Sequence, residues 1–315
     1  MENLSLLVAY GYERRTTRLM NISTKDSQYY NCHQPKTHEK IVASVFSLTE
    51  DRLVCAYTHV NINQENIDQE VQIINMDTGR IIYTYKSYKY VNQNPIYQRR
   101  VDVVTLSSDG SLIALGLSNG TIIIQNMDTG VEYIITEAHS LCITALAISP
   151  DNHTLVSGSI DHRIKIWTIG SSAEPPVILL GHTDTIRSLA ISHDGNTLVS
   201  GAFNGYINIW DAHTGLLKHS IYDQQMHNDN LLSVVITPDD QTVIGGSFRG
   251  VIALWDIKTG KLRSSYASTT NTSIRSIAIV HTYVLFEQFQ TIYMHVCKNR
   301  LQKQIMHQIK KYAGK

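Results

Sequence analysis

Four stretches of the chain can be laid over one another: GSLIALGLSNGTIIIQNMDTG from Gly110, NHTLVSGSIDHRIKIWTIG from Asn152, GNTLVSGAFNGYINIWDAHTG from Gly195 and DQTVIGGSFRGVIALWDIKTG from Asp240. Each is a short run of apolar residues that breaks at a turn of Gly, Asn or Asp, resumes and breaks again, and the alternation of Ile164 with Ile166 and of Ile207 with Ile209 has a period of two. That is the pattern of strand, tight turn, strand, turn. Upstream lies a further apolar run in every case: VDVVTLSSDG from Val101, ITALAISP from Ile143, IRSLAISHDG from Ile186 and LLSVVITPDD from Leu231. Downstream segments such as LLKHSIY from Leu216 and KLRSSYA from Lys261 supply a fourth strand. The unit is a four-stranded antiparallel sheet. The tetrapeptide MDTG, at Met76–Gly79 and again at Met127–Gly130, is then the hairpin between its third and fourth strands, and it reappears as HTG at His213 and KTG at Lys258.

The residue closing the third strand can be followed as Met20, Ile74, Gln125, Trp167, Trp210, Trp255 and His295, at spacings of 54, 51, 42, 43, 45 and 40 residues. This divides the chain into units at about 1–36, 37–88, 101–136, 137–180, 181–222, 227–268 and 273–306, with a tail at 307–315. One such sheet cannot bury both of its faces, and no helical period of useful length appears before the tail. The units are therefore expected to pack face to face around an axis, and closing the ring removes free sheet ends. The predicted fold is all-β: a single-domain, seven-bladed β-propeller of four-stranded antiparallel blades spanning 1–315. The pattern is eroded in the outer units, which leaves six blades as the alternative. The first unit begins almost directly in LSLLVAYGY, a strand of the second type. It either has three strands or is completed by the tail, where Leu301, Ile305 and Ile309 fit a strand almost as well as a helix.

GHTDTIRSLAISHDGNTLVSGAFNGYINIWD, from Gly181 to Asp211, resembles a WD repeat, a unit of about 40 residues with Gly-His near its start and Trp-Asp near its end. The resemblance is strongest over 137–260, continues over 41–136 and fades over 1–36 and 273–315. It implies a rigid, non-catalytic scaffold for protein–protein interaction. It also implies a buried hydrogen-bond network in which a His before the first strand, a Ser or Thr on the second, an Asp in the next turn and a Trp on the third staple a blade. The complete set falls on His139, Ser157, Asp161 and Trp167. Its equivalents are His182, Ser200, Asn204 and Trp210, then His227, Gly245, Arg249 and Trp255. His, Ser and Asp together also invite a catalytic-triad reading. The successive copies favour the staple: hydroxyl and acid drop out while His and Trp persist, and a staple can lose members at about 1–3 kcal/mol per unsatisfied group.

Composition excludes several other functions. A net charge of +0 argues against a surface built mainly to neutralise phosphates. The four cysteines, Cys32, Cys55, Cys142 and Cys297, form no CxxC pair, which fits a cytoplasmic location, or a nuclear one in a eukaryote. No apolar stretch is long enough to span a bilayer. Cys32, His33 and His38 lie close together but lack the spacing of a zinc site, and no glycine-rich loop opens a helix, so neither a metal nor a cofactor is expected.

A partner is expected where the turns between second and third strands meet the loops before first strands. The turn positions are Ser118, Ile160, Phe203 and Phe248, and the opening positions of the first strands are Asp102, Thr144, Arg187, Leu232 and Arg275. Turns favour Gly, Asn, Asp and Ser, so two Phe residues at matching positions need another reason. With Arg187, Arg249 and Arg275 nearby, they have the composition of an interface hot spot, suited to an acidic or phosphorylated peptide or protein and to a subunit of a larger complex. The alternative is that each Phe folds against the neighbouring blade. YTYKSYKYVNQNPIYQRR, from Tyr83 to Arg100, interleaves aromatics with cations and offers a second reading as an RNA-associated propeller. The insertion THVNINQENIDQE, from Thr58 to Glu70, is expected to lengthen a turn of the same unit. A propeller enzyme with an axial site would need ionisable residues converging on the inner strands, which are instead dominated by Ala, Ser, Val, Ile and Leu.

Overall fold

The computed structural model describes residues 7–12, 16–21, 27–30, 39–46, 52–60, 67–75, 81–87, 100–171, 174–222, 229–267, 274–280, 283–288 and 291–293, with side chains at 84, 100–171, 174–222, 229–265 and 277. Every regular element among these residues is a β-strand. No helix among them is long and apolar enough to cross a membrane. The chain divides into two compact units, one of residues 1–161 and 168–174, the other of 162–167 and 175–315.

In the first unit, β1 (Leu7–Tyr12), β2 (Thr16–Asn21) and β3 (Ser27–Tyr30) form a three-stranded antiparallel sheet. Next come β4 (Glu39–Phe46), β5 (Arg52–Val60), β6 (Ile67–Asn75) and β7 (Ile81–Ser87), paired in that order. A second four-stranded sheet holds β8 (Val101–Leu106), β9 (Leu112–Leu117), β10 (Ile122–Asn126) and β11 (Glu132–Ile135). The hairpin of β12 (Ile143–Ile148) and β13 (Thr154–Ser159) completes the unit.

The other unit holds the hairpin of β14 (Ile164–Thr168) and β15 (Val177–Leu179). It also has two four-stranded sheets: β16 (Ile186–Ile191), β17 (Thr197–Ala202), β18 (Ile207–Asp211) and β19 (Leu217–Ile221), then β20 (Leu231–Ile236), β21 (Thr242–Ser247), β22 (Val251–Asp256) and β23 (Leu262–Ala267). The last sheet has three strands among the described residues, β24 (Ile274–Val280), β25 (Tyr283–Gln288) and β26 (Thr291–Tyr293).

Burial follows strand position. The second strands β9 and β21 are buried at every residue, whereas the fourth strand β11 is exposed over Glu132, Tyr133 and Ile134. Within the second unit, Val199, Ile207, Ile209, Leu231, Val234, Val243 and Trp255 join the sheets of β16–β19 and β20–β23 in one core. Second strands are sandwiched on both faces, so their sequences read LIALGL and TVIGGS with small residues where the neighbouring sheet comes close. A Cβ added at Gly201 would stand 2.4 Å from Leu231 Cδ2.

The tetrapeptide copy at Met127–Gly130 is the turn between third and fourth strands, and the copy at Met76–Gly79 lies outside the described residues. Asn126 closes β10, and its Oδ1 accepts from the backbone N–H of Asp128 at 3.0 Å and Thr129 at 2.8 Å. Gly130 follows at φ 71°, a left-handed value that glycine adopts without a Cβ clash. Asp211 and Asp256 do the same work after Trp210 and Trp255, accepting from the Thr214 and Thr259 N–H at 2.9 and 2.8 Å. The carboxylates after Trp210 and Trp255 are therefore turn caps.

The insertion from Thr58 differs from its expectation as a longer turn. Thr58, His59 and Val60 pair with Gln69, Asp68 and Ile67, so it extends β5 and β6, and only 61–66 remain for the connection. Alternating Val, Ile and Thr residues on both sides favour continued pairing. The connection over 88–99, Cys32, His33 and His38, and the tail beyond Tyr293 lie outside the described residues.

Candidate functional site

One irregularity recurs at the same place in six first strands. The pairing of first with second strand slips between Ile41 and Ala43, Val101 and Val103, Ile143 and Ala145, Ile186 and Ser188, Leu231 and Ser233, and Ile274 and Ser276. The residues skipped are Val42, Asp102, Thr144, Arg187, Leu232 and Arg275. Five of these are the opening positions picked out from the sequence, which did not show that they are bulges. A bulge breaks the ladder locally and re-aims a side chain, and bulges concentrate at functional edges. The signal was present: Val101 and Val104, Ile143 and Leu146, Ile186 and Leu189, Leu231 and Val234, and Ile274 and Ile277 are apolar pairs three apart, where an unbroken strand would space them by two.

A backbone clasp brings the predicted turns to these bulges. The N–H of Ser118 donates to Arg100 O at 2.7 Å, Ile160 to Cys142 O at 3.1 Å, Phe203 to Thr185 O at 2.8 Å and Phe248 to Asn230 O at 2.8 Å. Each turn residue is thus held beside the residue that leads into its own first strand. In the second unit the sheets stack in matching register, because Val234 N donates to Ser188 Oγ and Ile277 N to Ser233 Oγ, both at 3.0 Å. Arg187, Leu232 and Arg275 therefore follow one another on three successive first strands, with Phe203 and Phe248 clasped beside the first two.

The side chains of Arg187, Phe248 and Arg249 are open to solvent. The Arg187 guanidinium lies 5.2 Å above the Phe203 ring, a cation–π contact. Phe203 is half-buried beneath it. Phe248 is 50% exposed, so it does not fold away against a neighbouring sheet. Arg249 is exposed, and its backbone N–H donates to Asp229 Oδ1 at 2.9 Å. For Arg275 the structure gives the backbone position alone. At the same end of the first unit, Arg100 Nε donates to Asp102 Oδ1 at 2.6 Å, and burial beside that carboxylate pushes the Cys142 thiol up.

The staple residues can be followed repeat by repeat. His139 Nε2 lies 2.8 Å from Ser157 Oγ, and its Nδ1 lies 2.9 Å from Asp161 Oδ2. These distances would suit a triad, but Ser157 is 0% and His139 2% exposed, so no substrate reaches the hydroxyl. In the next repeat His182 Nε2 lies 2.6 Å from Ser200 Oγ, which accepts from Trp210 Nε1 at 2.8 Å. There the serine joins β17 to β18 through the indole, a structural task. Asn204 replaces the acid and its Nδ2 donates to Thr183 Oγ1, so His182 Nδ1 is left without a partner; burial lowers the pKa of His182 to about 4. In the third repeat Gly245 supplies no hydroxyl, and Trp255 Nε1 has no partner. Trp167 is half-buried, with Lys165 Nζ 5.6 Å above its ring, and His227 lies outside the described residues. No cluster of three metal-ligating side chains occurs among the described residues.

The family described as "WD domain, G-beta repeat" matches residues 131–168 and 174–211. Among curated proteins, the chain is 34% identical over 87 residues to COMPASS component SWD1 of Saccharomyces cerevisiae, covering 26% of this chain and 20% of that protein. It is 30% identical over 112 residues to SEC12-like protein 2 of Arabidopsis thaliana, covering 35% of this chain and 27% of that protein. It is 28% identical over 87 residues to Periodic tryptophan protein 2 of Arabidopsis thaliana, covering 28% of this chain and 10% of that protein. The chain thus spans about a quarter or less of the length of these relatives. A chain in a crystal structure of a mitotic checkpoint complex shares the fold, with a TM-score of 0.73 at 16% identity over 92% of this chain and 90% of that one.

Proposed function

We propose, on the premise that this chain is a WD-repeat protein with the β-propeller fold, that it is a non-catalytic adaptor in a multiprotein complex and binds a protein partner at the edge formed by the bulges and clasped turns of its second unit. The observation that carries this reading is the pair of phenylalanines at equivalent turns, one half-exposed and one beneath an arginine, on a backbone fixed by the same hydrogen bond in each repeat. Exposed aromatics with arginine are the usual anchors of protein interfaces. Holding them on tied turns lowers the entropy lost on binding. COMPASS component SWD1 and the chain of the mitotic checkpoint complex are by their names parts of assemblies, which supports the same reading.

The non-catalytic part rests on the burial of the one His–Ser–Asp set and on the loss of its acid and hydroxyl in later repeats. The test is affinity purification from the native cell with a Phe203→Ala, Phe248→Ala variant. Its stability is expected to stay within about 1 kcal/mol of the parent, since neither ring belongs to the core, and its co-purifying proteins are expected to disappear. A folded variant that keeps them all would remove this edge as the binding site.

A further inference from the structure

We infer that this edge selects a peptide in which acidic side chains flank an apolar one; the inference rests on the adaptor reading and assigns the chemistry of its partner. The three successive bulge positions in the second unit read Arg187, Leu232, Arg275: cation, apolar, cation. Leu232 is half-buried, leaving part of its side chain open between the two flanking positions.

The charge is available. Among the described residues, neither Arg187 nor Arg249 has a carboxylate at ion-pair distance, whereas Arg100, Lys218 and Arg263 are each paired with an aspartate. Two carboxylates close to these arginines in the fold or the sequence are engaged with backbone: Asp229 accepts from Arg249 N and Asp184 from Thr185 N. The contact with the Phe203 ring restrains the Arg187 side chain, and the planar guanidinium fork is the geometry that meets a carboxylate with two parallel hydrogen bonds. Exposed Phe248 adds an apolar contact beside the row. Acid, apolar, acid is the ligand order complementary to this surface, and side-chain carboxylates are the anion to which we assign it.

The experiment measures fluorescence anisotropy of the whole chain with short fluorescein-labelled peptides. These carry Asp-Leu-Asp or Asp-Gly-Leu-Gly-Asp among Gly and Ser, and are compared with analogues bearing Asn for Asp, Gly for Leu, or phosphoserine for Asp. An acidic peptide is expected to bind, to lose about tenfold on Asp→Asn and to weaken as salt rises. Arg187→Gln with Arg275→Gln is expected to cost a similar about tenfold, while Lys258→Gln, at the opposite end of the sheet, leaves affinity unchanged. Equal binding of acid and amide peptides, binding of the phosphopeptide alone, or no binding of any probe overturns the inference. The two readings fail separately. If the double arginine variant keeps its native partners and the double phenylalanine variant loses them, the adaptor stands and acidic selection falls. If the phenylalanine variant keeps its partners, the adaptor site falls, whichever peptide binds.

Discussion

At the scale of single residues, the turn between first and second strands shows how one position does two jobs. Gly110, Asn152, Gly195 and Asp240 all stand there at positive φ, between 55° and 74°. The two that carry side chains reach back to the preceding sheet. Asn152 Nδ2 donates to Asp109 Oδ2 at 2.6 Å, and the Asp240 carboxylate accepts from the N–H groups of His193 and Asp194 at 2.8 and 3.0 Å. Asp240→Gly is expected to destabilise by about 1–2 kcal/mol through these lost acceptors, and Asp240→Ala by about 1 kcal/mol more because Ala resists positive φ. Urea unfolding of the two variants measures both effects, and equal losses would mean that the backbone is unstrained there.

His182 gives the second residue-scale prediction. Its folded-state pKa is lowered from 6.5 to about 4, so between these values the unfolded chain takes up a proton that the folded chain refuses. Stability from this group is full above about pH 6.5 and is lost as pH falls toward 4, by up to about 3 kcal/mol. Asn204→Asp places an acceptor at the position Asp161 holds beside His139. It is expected to raise the His182 pKa, to shrink the acid loss and to add about 1 kcal/mol near neutral pH. Denaturation at several pH values, with an NMR titration of His182, checks the sign; an unmoved titration would show that Asp at 204 does not face the ring.

At the scale of the element, each repeat has settled its own lost members differently. Repeat logic suggests restoring serine at Gly245 to give Trp255 Nε1 a partner, as Ser200 does for Trp210. The geometry opposes it. A Cβ at Gly245 would stand 2.8 Å from Trp255 Cζ3 and 3.1 Å from Cη2, because the indole has moved into the space a side chain would fill. Gly245→Ser is therefore expected to destabilise by about 1–3 kcal/mol despite the added hydroxyl, through overpacking against a rigid ring. A stabilised variant in thermal melts would show that the indole returns at little cost.

Much at this scale was legible in the chain. The repeat, its four strands and the hairpin tetrapeptide follow from short apolar runs broken at regular intervals by Gly and Asn, with period-two alternation in third strands such as Ile207 and Ile209. The bulges were less visible, because a bulge leaves only a three-residue gap between apolar positions. The cation–π pair of Arg187 and Phe203 was not visible at all: the residues are 16 apart and meet only through the clasp from Phe203 to Thr185. The turn position of both Phe residues nonetheless marked them as unusual before any contact was known.

At the scale of the whole molecule, the strand groups β1–β3, β4–β7, β8–β11, β12–β15, β16–β19, β20–β23 and β24–β26 match the seven repeat units in order. This supports, as a proposal, one propeller domain of seven blades over 1–315. A single domain is expected to unfold in urea as one transition, superimposable by tryptophan fluorescence and far-ultraviolet circular dichroism. Two separated transitions would divide it. All three tryptophans lie between Trp167 and Trp255, so fluorescence reports that stretch while circular dichroism reports every strand.

The sequence by itself determined the repeat, the strand order within each sheet, the caps that close the hairpins and the residues placed at one edge, because these depend on local alternation and turn chemistry. Only the tertiary structure decided which of those residues act together. Stacking sheet on sheet sets which hydroxyl meets which indole, which histidine is left without a partner, and which arginine rests on a ring. Such contacts join residues distant along the chain, and their energies depend on distances of a few tenths of an ångström that no local pattern encodes.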